Sequence, residues 1–139
     1  MEAADWDDTA RELLALARHE SFALGDEYIG TQHLLLAAIV LTPIEQHGIP
    51  HLNRDDVLAA ITRCIPRLDP DIVPISPGGQ TPWTKRVILN AWERAQGESR
   101  RVHYNDIWSV ILGLHHPNVE KVLQEFGLSS SYLRGKLGV

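Results

Sequence analysis

The 139-residue sequence has a single cysteine, a single methionine and no long apolar run. Because Cys64 has no second cysteine to pair with, an intramolecular disulfide is excluded and a reducing compartment is the simplest expectation. The longest apolar stretch, 34–41, is less than half of what a membrane-spanning helix requires. The acidic N-terminus lacks the basic flank and apolar segment of a signal peptide. These absences predict a cytoplasmic protein without a membrane partner.

Positive charge is also scarce. Thirteen lysines and arginines face eighteen aspartates and glutamates, which gives a net charge of -5. Nucleic-acid-binding domains normally carry a basic stripe, so this balance predicts no nucleic-acid partner. The hydrophobic fraction of 44% and the charged fraction of 22% are those of an ordinary globular protein. The length is typical of one domain.

No phosphate-binding loop of the form G-x-x-x-x-G-K-[ST] is present, so ATP hydrolysis is not expected. Seven histidines raise the question of a metal site. His47 and His51 have the i, i+4 spacing, but a glycine and a proline separate them, while His115 and His116 are adjacent. We therefore predict no catalytic residue, no metal and no cofactor. The alternative, a small helical metal-binding hydrolase, would depend on these unclustered histidines.

One segment divides the chain. Residues 68–81 contain three prolines and two glycines, which disfavour both helices and central strands. The sequence predicts a single module, 1–139, made of a first repeat at 6–67, a linker at 68–80 and a second repeat at 81–139.

Both halves show the periodicity of helices. Apolar and small residues recur at the i, i+3, i+4, i+7 spacing before the linker, and again after Thr81-Pro82. An apolar helix is predicted over about 31–41, another from Asn53, and further helices at 105–112, through Val119 to Phe126, and near the C-terminus. We predict an all-α fold with three to four helices in each repeat.

The two halves align without a gap at an offset of 74 residues over their first two helices. Few residues are identical, but helix caps, breaks and apolar positions coincide, which indicates a duplication with pseudo-twofold symmetry. The aligned pairs include Leu13 with Val87, Ala17 with Ala91, Thr31 with Asn105, Gln32 with Asp106, and Leu34 with Trp108.

The segment 28–36, Y-I-G-T-Q-H-L-L-L, resembles the Y-I-G-T-E-H-L-L-L signature of the Clp N-terminal (Clp R) domain. Thr81-Pro82 followed by 85–87 is similar to the T-P-x-x-K-x-V that opens the second repeat of that family. The resemblance implies a pseudo-twofold bundle of two four-helix repeats. In ClpA/ClpC-type unfoldases this domain is tethered to AAA+ ATPase modules and receives adaptors, substrates or degradation marks; the present sequence carries no ATPase signature.

This sequence departs from the family at several positions. Only five residues, 42–46, separate the second helix from the following turn, so the third helix of the first repeat is expected to be missing or vestigial. The glutamate of the signature is Gln32 here and, at the offset of 74, Asp106 in the second repeat. The resemblance implies that these glutamates lie near the pseudo-twofold axis. In ClpC-type domains they help to recognise the guanidinium of phosphorylated arginine.

We accordingly predict a ligand- or peptide-binding site made by Thr31, Gln32, Asn105 and Asp106, with both helix starts facing one cleft. Asp106 has a second interpretation, since a carboxylate at a helix start is favoured without any ligand. Trp6 and Trp83 are predicted protein-interface residues, or the rim of the core.

The predicted function is therefore non-catalytic binding of a protein or peptide within a Clp-type quality-control or proteolysis system. The partner would be a Clp ATPase, an adaptor or a substrate. The alternative is a repurposed Clp-like domain that binds a small molecule or a phosphoarginine ligand, more weakly than a two-glutamate domain because Gln32 carries no charge.

Overall fold

The computed structural model describes residues 2–26, 28–49, 52–66 and 79–139. Within these ranges the chain forms seven α-helices, and the predicted all-α fold is confirmed. The helices are α1 (Asp8–Ala23), α2 (Thr31–Leu41), α3 (Arg54–Cys64), α4 (Pro82–Gly97), α5 (Tyr104–Leu114), α6 (Pro117–Gln124) and α7 (Ser130–Leu137). Most of the predicted linker lies outside the described residues, so the division into repeats at 68–80 stays a prediction.

The helices begin where the sequence supplies caps. Side chains of Asp7, Asn53, Thr81 and Ser129 each accept a hydrogen bond from a backbone amide three residues later. Such bonds satisfy amides that have no partner within the helix. Pro82 follows Thr81 at the first position of α4, where a missing amide hydrogen costs nothing.

The core is formed by apolar positions from both halves. Leu14 is only partly buried. Seven further positions are at most 8% exposed: Leu13, Leu34, Leu35, Val87, Ile88, Ile107 and Ile111. Trp108 is also fully buried, and its indole nitrogen donates to Oγ1 of Thr42 at 2.8 Å. That bond ties α5 to the end of α2. None of the helices in the described ranges has the length and apolarity to cross a membrane.

The first helices of the two halves match the predicted offset, but the second helices do not. α1 and α4 each have 16 residues, and their caps, Asp7 and Thr81, are 74 residues apart. α2 and α5 each have 11 residues, yet their caps, Gly30 and His103, are only 73 apart. The second half therefore has one residue fewer between its first two helices.

The third position of each second helix makes this correction explicit. In α2 the amide of Gly30 donates to Nδ1 of His33 at 2.8 Å. In α5 the amide of His103 donates to Oδ2 of Asp106 at 2.9 Å. His33 and Asp106 thus each accept a hydrogen bond from the amide of the cap residue three positions earlier. The predicted pairing of Gln32 with Asp106 is wrong by one residue, and the equivalent pairs are Gln32 with Asn105 and His33 with Asp106.

The third helix of the first half is vestigial, as predicted. A 3-10 helix of four residues, Ile44–His47, stands where the second half has α6. Gly48 ends it in the left-handed conformation, with a φ of 73° that favours glycine.

Two short parallel pairings connect the halves. Strands β1 (Tyr28–Ile29) and β2 (Gly79–Gln80) pair with each other, and Trp6 forms a bridge with Val102. In both pairings, the segment before the first helix of one half lies beside the segment before the second helix of the other half. These two-residue strands are the one departure from the predicted absence of sheet within the described ranges.

Candidate functional site

A cavity of about 180 Å³ lies at the start of α2, and we call it the Trp83 cavity. The start of α4, the start of α6 and the segment after α3 complete its walls. It brings together three of the predicted site residues, Thr31, Gln32 and Trp83. The remaining lining residues are Tyr28, Ile65, Pro66, Thr81, Pro82, His116 and Asn118.

Gln32 forms a polar patch in the lining of this cavity. Its side chain is 2% exposed, and its Nε2 donates to the hydroxyl of Tyr28 at 3.2 Å. The side chain folds back over Gly30, so closely that a Cβ atom at position 30 would collide with Oε1 of Gln32. Glycine at position 30 therefore leaves the space that the amide of Gln32 occupies.

Trp83 and His116 form an aromatic wall. The indole of Trp83 is 40% exposed, and the imidazole of His116 meets it edge to face, with ring centroids 4.8 Å apart. Nδ1 of His116 accepts from the amide of Asn118 at 3.1 Å, and the Thr31 hydroxyl lies 3.4 Å away. Burial lowers the pKa of His116 below its ordinary 6.5. The wall is therefore uncharged at neutral pH.

A second cavity, of about 210 Å³, adjoins the first. The two share Tyr28, Gln32, Ile65 and Pro66, so the Gln32 amide stands between two mostly apolar spaces. The additional walls of the second cavity are Leu24, Asp26, Ile61 and Thr62.

A different cavity, of about 660 Å³, lies at the start of α5, and we call it the arginine cavity. It shares no lining residue with the Trp83 cavity. Each cavity combines the start of a second helix, the cap of the other half's first helix and the segment after the last helix of its own half. The lining residues are Asp7, Arg94, Arg100, Arg101, His103, Asn105, Asp106, Gly138 and Val139. Of the predicted ligand-binding residues, Thr31 and Gln32 thus line the Trp83 cavity, and Asn105 and Asp106 line the arginine cavity.

Asp106 is already paired within the chain. It is 2% exposed, and both terminal nitrogens of Arg100 donate to its carboxylate, at 2.5 and 2.6 Å. Nε of Arg94 lies 3.2 Å from the same carboxylate. Burial alone would raise the pKa of Asp106, but the Arg100 and His103 hydrogen bonds outweigh it and lower the pKa. Asp106 is therefore not available to a ligand cation.

The amides at the start of α5 are also engaged. Tyr104 donates its amide to Oγ1 of Thr9 at 3.1 Å, Asn105 donates to Nδ1 of His103 at 3.0 Å, and Asp106 donates to the His103 carbonyl at 2.9 Å. These three amides are therefore not free to bind an anion.

The overall architecture was compared with known proteins. No family model matches the sequence, and no curated protein matches it. Among solved structures, the N-terminal domain of the caseinolytic protease associated chaperone ClpD from Arabidopsis thaliana superposes with a TM-score of 0.81 and 19% identity, over 98% of this chain and 94% of that one. The chain has the fold of the Clp N-terminal domain. The Hsp104 N-terminal domain from Candida albicans also matches, with a TM-score of 0.71 and 17% identity, over 95% and 88% of the two chains.

Within this Clp N-domain fold, the second position of each second helix is an uncharged amide. Gln32 holds that position in α2, and Asn105 holds it in α5. In the corrected register the partner of Gln32 is therefore Asn105, and this pair contains no carboxylate.

Trp6 does not offer a surface to a partner. Its side chain is 6% exposed and belongs to the core, and its carbonyl accepts from Nη2 of Arg101 at 2.8 Å. The structure therefore does not support the predicted interface role of Trp6, whereas Trp83 is exposed as that role requires.

The histidines do not gather around a metal site in the part of the chain that the structure describes, where no three potential ligands cluster. His51 lies outside the described residues. His33 is fully buried, and its Nε2 donates to Oδ2 of Asp26 at 2.9 Å while Nδ1 accepts from Gly30. Both ring nitrogens are used, so the role of His33 is to cap α2.

The burial of His33 predicts a pH-dependent stability. Burial lowers its pKa below the ordinary 6.5, against the opposing effects of Asp26 and Glu20. In the unfolded chain His33 is protonated near pH 6.5, whereas in the folded chain it is protonated only at a lower pH. The free energy of unfolding should therefore fall as the pH falls below 6.5. His33→Gln keeps an acceptor for the Gly30 amide without titrating. Urea denaturation at pH 7 and pH 5.5 should show a smaller loss in this variant; an equal loss would contradict the assignment.

Proposed function

We propose that this protein is a non-catalytic module that binds a protein or peptide, with an apolar side chain of the partner in the Trp83 cavity. The observation that carries the proposal is the exposed Trp83 at the edge of an apolar cavity that also contains the buried Gln32 amide. Exposed tryptophans beside pockets are frequent anchors of protein interfaces. The amide and the Thr31 hydroxyl supply polar groups that a peptide backbone can meet.

The size of the cavity supports a side chain rather than a whole small molecule. Small-molecule sites usually enclose about 300–1,000 Å³, whereas the Trp83 cavity encloses about 180 Å³. The adjoining cavity of about 210 Å³ would receive a second side chain on the other side of Gln32.

The fold supports the biological setting. Both structures described above are N-terminal domains, one of them from a chaperone associated with a caseinolytic protease. We infer that this protein acts as an adaptor or substrate receptor of a Clp-type quality-control or proteolysis system. Its partner would be a Clp ATPase, an adaptor or a substrate protein.

The proposal is tested with Trp83→Ala and, as a matched control, Phe22→Ala. Phe22 is a 51% exposed aromatic on α1 that lines neither named cavity. Peptides with a central leucine or phenylalanine are titrated into ¹⁵N-labelled protein. We expect the Trp83 indole and the Gln32 amide resonances to shift, and Trp83→Ala to weaken binding about tenfold because it removes an aromatic anchor. Phe22→Ala should leave the affinity unchanged.

Two results would contradict the proposal. One is an equal loss of affinity in Phe22→Ala and Trp83→Ala, and the other is the absence of any shift at Trp83 and Gln32. A phosphoarginine peptide in the same panel tests the alternative ligand. With amides at Gln32 and Asn105 and with Asp106 already paired, these positions offer that guanidinium no free carboxylate, so we expect the apolar peptides to bind more tightly.

A further inference from the structure

The arginine cavity carries an excess of positive charge in its lining. Three arginines, Arg94, Arg100 and Arg101, line it together with two carboxylates. Asp106 is held by Arg100, and Oδ1 of Asp7 accepts from the amide of Ala10 at 3.0 Å as the cap of α1. Among its aspartate and arginine side chains, the lining thus carries one more positive than negative group.

Two of the arginines retain unused donors. Arg94 approaches Asp106 only through Nε, its side chain is 44% exposed, and its terminal nitrogens make no hydrogen bond to another described residue. Arg101 uses Nη2 on the carbonyl of Trp6, and its other guanidinium nitrogens make no such bond within the described ranges. Guanidinium groups with free donors form strong, paired hydrogen bonds to carboxylates and phosphates.

The buried carboxylate holds this arrangement in place. Asp106 fixes Arg100 through two bonds and draws Arg94 to the same side, so part of the entropy cost of ordering long side chains is met before a ligand arrives. Asp106 therefore positions Arg94 and Arg100, the carbonyl of Trp6 positions Arg101, and the ligand contact is left to Arg94 and Arg101.

The Trp83 cavity, its pseudo-symmetric counterpart, has no charged residue in its lining. The two equivalent sites have therefore acquired opposite character, one aromatic and neutral, the other cationic.

We propose that the arginine cavity binds an acidic segment of a protein, through carboxylate or phosphate groups that contact Arg94 and Arg101. The proposal rests on the protein-binding function above and adds a second ligand class at a separate cavity. A net charge of -5 disfavours a long polyanion such as nucleic acid.

The experiment measures binding of four fluorescein-labelled peptides of equal length, rich in glutamate, phosphoserine, lysine or serine, at low and high salt. The variants are Arg94→Gln and Arg101→Gln. The control is Lys121→Gln, which removes the same charge from an exposed position on α6 and lines neither named cavity. We expect the acidic peptides to bind and the lysine and serine peptides not to bind. Arg94→Gln and Arg101→Gln should each weaken acidic binding about tenfold, and Lys121→Gln by less than about twofold.

Chemical shifts on ¹⁵N-labelled protein separate this proposal from the previous one. Acidic peptides should shift the amide resonances of Arg94, Arg101 and Asn105. If the proposed function at the Trp83 cavity fails, the leucine and phenylalanine peptides will leave the resonances of Trp83 and Gln32 unshifted. Equal weakening by Arg94→Gln and Lys121→Gln would overturn the proposal, as would tighter binding of an oligonucleotide of matched charge. Tighter binding of the phosphoserine than of the glutamate peptide, or the reverse, supports the proposal and identifies the anion.

Discussion

Leu35→Ala is expected to lower the free energy of unfolding by about 2–5 kcal/mol. Leu35 is completely buried in α2, and α2 packs against five other helices, α1, α3, α4, α5 and α6. Truncation removes apolar contacts and leaves a void whose walls belong to several elements. Since those elements are fixed by one another, the void cannot close cheaply. Urea denaturation followed by circular dichroism at 222 nm measures the change.

Leu89→Ala is the matched control for this prediction. Leu89 lies on α4 and is 44% exposed, so the same truncation there should change the free energy of unfolding by no more than about 0.5 kcal/mol. Comparable losses at Leu35 and Leu89 would show that α2 is not the central helix of the core.

Asp106→Ala is expected to cost about 1–3 kcal/mol of stability at neutral pH. The variant leaves Arg100 and Arg94 without their shared carboxylate and deprives the His103 amide of its acceptor. The loss stays below that of a fully enclosed ion pair because these arginines are 37% and 44% exposed and can be hydrated. Thermal and urea denaturation of both proteins measure it.

Glu98→Ala provides the comparison, because Glu98 is the second, exposed carboxylate partner of Arg100. Its removal should cost less than about 1 kcal/mol, as exposed ion pairs do. The lowered pKa of Asp106 also predicts how stability depends on pH. The stabilisation from Asp106 is present above the ordinary carboxyl pKa of 3.8 and is lost as the pH falls through the lower pKa of the folded state. A loss for Asp106→Ala no larger than that for Glu98→Ala would show that the burial of this carboxylate is unimportant.

The fold could be predicted because its determinants are local. Caps such as Asn53 and Thr81 and the i, i+3, i+4 spacing act within a few residues, and both are visible in the sequence. The register of the second repeat could not be predicted in the same way. Asn and Asp are both common cap residues, so Asn105 and Asp106 suggested a helix start there, whereas the residue that caps α5 is His103. One missing residue in a connecting segment changes no helical pattern, so only the hydrogen bonds at the helix starts define the register.

The site was predicted only in part for a related reason. Thr31, Gln32 and Trp83 stood out individually, but nothing local joins Thr31 to His116, which lies 85 positions later. The sequence His116-Pro117 was nevertheless a usable signal, because it repeats the cap-then-proline order of Thr81-Pro82. Arg94, Arg100 and Arg101 were missed, because the cavity that they line together and the contacts of Arg94 and Arg100 with the buried Asp106 depend on tertiary structure.

The two parallel pairings between the halves have a consequence for synthesis on the ribosome. Residues around Trp6 and Tyr28 emerge first, but their backbone partners at Val102 and Gly79 are made later. The nascent first half therefore exposes unpaired backbone edges, which are sites of unwanted association, until the second half has been translated. Late closure of these long loops also makes folding depend on contacts distant in the sequence. We expect the two halves to acquire protease resistance together, once the second half has emerged from the ribosome.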